Sequence, residues 1–140
     1  MAKKGVKLGR VLRVRTLQLN LKLADEVRAR DQVTSEHELR HRIRQLSEAV
    51  APAPSATEAF SFIAAAHFRE RLHQTASATE HRVYVAEKKL ETASEATREA
   101  RRDQSAIEKL IERDAARDAV KAIRALEEAP SVRRNRHDPC

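Results

Sequence analysis

At 140 residues the chain is long enough for one ordinary domain, yet aromatic residues make up 3% of it, charged residues 35%, and glycine occurs only twice. That composition excludes a thick globular core; the apolar content is mostly Ala, Leu, Ile and Val set among Glu, Lys and Arg, the make-up of long helices in mutual contact. The net charge of +7 falls almost wholly at one end, since the first thirty residues hold nine basic and two acidic side chains.

The first element is a helix predicted over about 6–50. Its basic start, Lys3, Lys4, Lys7, Arg10, Arg13 and Arg15, suits nucleic acid, an anionic membrane surface or an acidic protein rim equally well by charge. An Arg-rich, acid-poor start also has the composition of a mitochondrial-type presequence, a less favoured reading. From Leu17 to Leu23 the leucines alternate like a strand, but nothing else in the sequence offers a strand to pair with it. Wound as a helix, the segment carries two stripes. Leu8, Leu12, Leu19 and Leu23 lie on one side, Val14, Leu17 and Leu21 on the other. One stripe suffices for an internal contact, so the second is expected to meet another protein.

Further along, His37-Glu38-Leu39-Arg40-His41 matches the H-E-x-x-H pattern of zinc proteases, which sets two imidazoles and a carboxylate base on one helical face. No third ligand or recognisable continuation follows. Leu39, Ile43, Leu46 and Val50 have the 4-3-4 spacing of a buried stripe, and both histidines stand two residues from it, about 200° around the helix on the solvent side. Zinc hydrolysis is therefore the weaker reading, and neither metal nor cofactor is expected.

The chain breaks at Ala51-Pro52-Ala53-Pro54-Ser55, where two prolines end the first helix. The turn is expected over 51–56. Ser55 and Glu58 form a capping box for a second helix over about 57–128, which packs antiparallel on the first. Phe60, Ile63 or Ala64, Phe68, Leu72 and Thr75 follow one stripe of it. Val83, Ala86, Leu90, Ala93, Thr97, Ala100, Gln104, Ile107 and Ile111 then hold a strict 3-4 alternation, the signature of a coiled-coil seam. Counting outward from the break pairs Val50 with about Thr57, Leu39 with about Phe68, and Leu8 with the neighbourhood of Glu99 and Ala100. That leaves an overhang of roughly 30 residues, about 45 Å, with an apolar stripe at Ile107, Leu110, Ile111, Val120, Ile123 and Leu126 and a basic tail at 131–140. The expected fold is all-α: one elongated domain, a long antiparallel two-helix coiled-coil hairpin with an extended C-terminal helical overhang.

The remaining chemistry is sparse. Cys140 is the single cysteine, so a reducing compartment fits. No apolar run approaches the roughly 20 residues of a membrane span. His67, His73, His81 and His137 belong to no nucleophile-base or cysteine cluster and read as solvated positions. With no phosphate-binding glycine loop, no aromatic stacking platform and no nucleic-acid motif, neither nucleotide hydrolysis nor nucleic-acid recognition is expected. A basic coiled coil clamping nucleic acid electrostatically is the main alternative.

The order of features is distinctive: a basic L-x-R-V-L-R-V-R start over Leu8–Arg15, a first helix, a short break, F-x-x-x-L at Phe68 and Leu72, and I-E-K-L-I-E-R over Ile107–Arg113. Over nearly its full length the chain resembles the flagellar export protein FliJ family, with injectisome stalk proteins as the nearest relatives in architecture. The resemblance implies a non-enzymatic, cytoplasmic stalk of the type III export apparatus, peripheral to the inner membrane. Such a stalk stands inside the hexameric export ATPase, connects it to the export gate, and handles export chaperones. It assigns contact with the gate's cytoplasmic domain to Leu39, Ile43, Leu46, Val50, Phe68, Leu72, Thr75 and Thr79, with Thr75 and Thr79 standing where the family has Ala and His. For the ATPase, the termini-proximal end supplies Lys7, Arg10, Arg13, Arg15, Leu17 and Leu21 on the first helix and Lys109 and Arg113 on the second.

Overall fold

The computed structural model describes residues 2–50 and 59–130, with side chains over 5–50 and 62–130. Two helices, α1 (Ala2–Ala49) and α2 (Ala59–Glu127), pack on each other as an antiparallel hairpin, and no strand occurs among the described residues. The strand-like alternation over Leu17–Leu23 is helical, as its two stripes require. Helix α1 begins four residues earlier than expected and runs through Gly5 and Gly9, while α2 begins at Ala59. The capping pair Ser55 and Glu58, the expected turn and the basic tail lie outside the described residues.

On α2 the seam is the one that the heptad spacing predicts. Val83, Ala86 and Thr97 are buried, and Leu90, Ala93, Ala100, Gln104, Ile107 and Ile111 are half-buried. The same alternation extends backward without a slip through Thr79, Ala76 and Leu72. The expected stripe member Thr75 is exposed, and Ala76 takes its place. Hydroxyls in the seam are satisfied locally: Thr79 Oγ1 donates to the Thr75 carbonyl at 2.7 Å, and Thr97 Oγ1 donates to Ala93 at 3.0 Å and across to Lys22 at 3.2 Å. Threonine therefore serves here as a small, nearly apolar seam residue.

On α1, Leu19 is buried and Leu8, Leu12 and Leu23 are half-buried, while Val14, Leu17 and Leu21 are exposed. The first stripe is thus internal and the second external. Closer to the break the contact face differs from the expected one. Val33, Glu36, Arg40 and Ile43 face α2, Leu39 stands at the margin, and Leu46 is 51% exposed. Two of these facing residues are charged, which is why an apolar template selected Leu39 and Leu46 instead.

The register also departs from the count taken outward from the break. Arg15 pairs with Asp103, Thr16 with Gln104, Lys22 with Thr97, Glu36 with Arg82, and Arg40 with Glu80, so partners' numbers add to about 120 rather than 107. Ala49 is then level with about residue 71, and Ala2 with about residue 118. Roughly twelve residues of α2, about 18 Å, extend past the end of α1, and the overhang at the termini shrinks from about 45 Å to about 14 Å. Side-chain chemistry accounts for the shift. In the expected register Leu8 and Leu12 would be level with Glu99 and Glu95, Arg15 with Thr92, and Arg40 with His67. In the observed one the two leucines reach the levels of Ile111 and Ile107, and both arginines find carboxylates.

Candidate binding surfaces at the two ends of the hairpin

At the termini-proximal end, the 120 register places Lys7 level with Arg113 and brings Lys109 between Arg10 and Arg13. All five are exposed, and Leu17 and Leu21 expose 63% and 65% of their surface. Arg15 differs from them. Its guanidinium forms an ion pair with Asp103 at 3.0 Å and donates to Gln18 Oε1 at 3.1 Å, so it joins the two helices. Helical phase fixes the directions of the rest. Arg10 stands two residues from both Leu8 and Leu12, and Leu21 two from both Leu19 and Leu23, which turns them about 200° from the seam. Lys109 bears the same relation to Ile107 and Ile111. Arg10 and Lys109 therefore point out of opposite faces of the hairpin at one axial level.

At the hairpin end the residues assigned to the gate divide. Ile43, 6% exposed, and Thr79, 2% exposed, are core. Leu39, Val50 and Leu72 are half-buried, while Leu46, Phe68 and Thr75 are exposed. Phe68 does not meet Leu39; it lies on the part of α2 beyond the end of α1, with Phe62 and Ile63 exposed beside it at 51% and 59%. Spacing puts Ile63 or Ala64 on the stripe and leaves Phe62 off it, whereas all three are exposed. The signal was present as three large apolar residues in four, Phe60-Ser61-Phe62-Ile63, more than one stripe can bury.

The histidine motif resolves differently from its expected solvent position. His37 faces α2, with its Nε2 3.2 Å from Glu87 Oε1 and its Nδ1 accepting from Arg40 Nη2 at 2.9 Å. It turns inward because the contact face contains Glu36 and Arg40 rather than Leu39. An arginine can only donate, so Nδ1 accepts from Arg40 and Nε2 is the nitrogen that bears hydrogen, close to the Glu87 carboxylate. His41 is exposed, and the described residues contain no group of three or more His, Cys, Asp or Glu that could hold a metal ion. His67, His73 and His81 are exposed, as their positions predict.

Between the two ends, a groove of about 490 Å³ runs along one flank. Tyr84, Val85, Ala93 and Ala96 supply its apolar surface, and Lys22, Lys88 and Lys89 surround it together with Asp25 and Thr92. The Lys88 ammonium is held above its ordinary range by a 2.8 Å hydrogen bond to Glu91 and by that carboxylate's charge, and the same hydrogen bond and the ammonium's charge hold Glu91 below the usual range. No helix among the described residues is long and apolar enough to cross a membrane. Comparison with protein-family models, with curated proteins and with solved structures finds no match.

Proposed function

We propose that the protein is a non-enzymatic stalk of a flagellar type III export apparatus, standing within the export ATPase hexamer at its termini-proximal end and reaching the export gate with its hairpin end. One observation carries the reading. Arg10 leaves one face of the hairpin while Lys109 leaves the opposite face at nearly the same level, with Leu17 and Leu21 exposed about 9 and 15 Å farther along α1, an arrangement that a partner engages fully only by surrounding it. A ring does so; a flat surface or a single groove meets one face. Charge on such a stalk contributes orientation and encounter rate more than affinity.

The exposed Phe62, Ile63 and Phe68 beyond α1 support a second contact, with the gate's cytoplasmic domain. The order of sequence features supports the flagellar assignment and the handling of export chaperones, and with it a cytoplasmic location peripheral to the inner membrane. The test is co-purification with an export ATPase. Its hydrolysis and hexamer formation are expected to rise when the protein is added. Strong, salt-sensitive DNA binding with no effect on the ATPase would overturn the reading in favour of a nucleic-acid clamp.

A further inference from the structure

The flank groove lies away from both ends and plays no part in the stalk reading. Thr97 Oγ1 donates to the backbone carbonyl of Lys22, so Lys22 is level with Thr97, eight residues or about 12 Å along α2 from Lys89. The two lysines stand on opposite walls, one on each helix. Among the described residues neither forms an ion pair, whereas Lys88 is tied to Glu91 and Asp25 to Arg28 at 3.4 Å. Between them Ala93 and Ala96 contribute only methyl groups, so a second backbone can approach closely, and Val85 remains 37% exposed. From Val85 to Ala96 the groove runs about 16 Å, the length of three helical turns.

We infer that this groove docks an acidic amphipathic helix from another protein, its apolar ridge lying on Val85, Ala93 and Ala96 and a carboxylate on each flank meeting Lys22 and Lys89. Charge complementarity selects this occupant. Two unpaired ammonium groups flanking a narrow apolar floor match carboxylates flanking an apolar ridge, and they repel the basic face of a second copy's α1.

The probe is a fluorescein-labelled 14-residue helical peptide with leucine at i, i+3/4 and i+7 and glutamate on both flanks, set against a twin with lysine for glutamate. Anisotropy is read with the full chain and no ATPase, so its outcome is separate from that of the stalk reading. The acidic peptide is expected to bind and its twin not. Lys22→Glu with Lys89→Glu should weaken acidic-peptide binding about tenfold and confer binding on the twin. Ala96→Trp, which fills the groove, should abolish binding of both while circular dichroism remains helical. Absence of acidic-peptide binding, or binding indifferent to the lysine reversal or to Ala96→Trp, overturns the inference. So does a dimer of this chain, or binding to anionic vesicles, that Ala96→Trp disperses.

Discussion

Removing the Arg82 side chain should destabilise the hairpin, whereas removing the carboxylate it pairs with should stabilise it. Glu36 lies in the helix-helix contact at 7% exposure, with Oε1 2.8 Å from Arg82 Nη2 and Oε2 buried without a hydrogen-bond partner. A buried acceptor left unmade costs about 1–3 kcal/mol, and the charged bond on the other oxygen offsets part of that. The offset is small, because the Arg82 side chain is 59% exposed and water screens it, so about 1 kcal/mol is its upper range. Glu36→Leu removes both terms and buries a leucine beside Val83, worth about 1.5–3 kcal/mol against an exposed one. The buried methylenes of Glu36 already supply part of the leucine term, so the expected net is a gain of about 1–3 kcal/mol.

Arg82→Ala loses the pair while leaving the carboxylate in place, at an expected cost of up to about 1 kcal/mol. Urea unfolding followed by helical circular dichroism reads both as midpoint shifts at constant slope. In the double variant Arg82→Ala should cost close to nothing, since its partner is gone. A Glu36→Leu variant less stable than the parent, or an Arg82→Ala cost that persists in the double variant, would refute the reasoning.

Three further outcomes follow from burial and space. Ile43→Ala should cost about 2–5 kcal/mol, but Phe68→Ala, at a 49% exposed position, under about 1; calorimetry separates them, and only the second should impair capture of the gate's cytoplasmic domain with the fold intact. Leu17→Ser with Leu21→Ser should leave the midpoint within about 0.5 kcal/mol and reduce ATPase capture, and an equal loss of helicity would place both residues in the core. Gly9→Ala should raise stability by about 0.4–1 kcal/mol in thermal melts, because Gly9 is inside α1 and a Cβ there meets nothing within 4 Å.

The fold was legible wherever side-chain spacing alone decides it. The α2 seam from Val83 to Ile111 and the division of α1's leucines into inner and outer stripes follow from a 3-4 repeat that tolerates Ala and Thr as readily as Leu. Where charged groups occupy the contact face, spacing of apolar residues misleads. Glu36 and Arg40 displaced Leu39 and Leu46 from the expected stripe, and that rotation turned His37 inward. Register was not legible from the break, because counting outward assumes that both helices leave it at one level. Cross-helix partners up to 88 residues apart in sequence, such as Thr16 and Gln104, decide it instead.

The register shift also changes what the excess length of α2 does. A single overhang at the termini would leave one long apolar stripe seeking one partner. Division of the excess places Phe62, Ile63 and Phe68 beyond α1 at one end and exposed Ile123 and Leu126 beyond it at the other. The intervening seam is built of small residues, with Ala86, Thr79 and Thr97 among its most buried, so the helices can approach at the near end of the 8–10 Å range. Uncovered apolar surface lies at both tips and also along the shaft at Leu17, Leu21, Val27 and Tyr84, so a thin shaft with little core of its own gains from partners more than a globule would. The seam between the two tips holds them at a fixed separation.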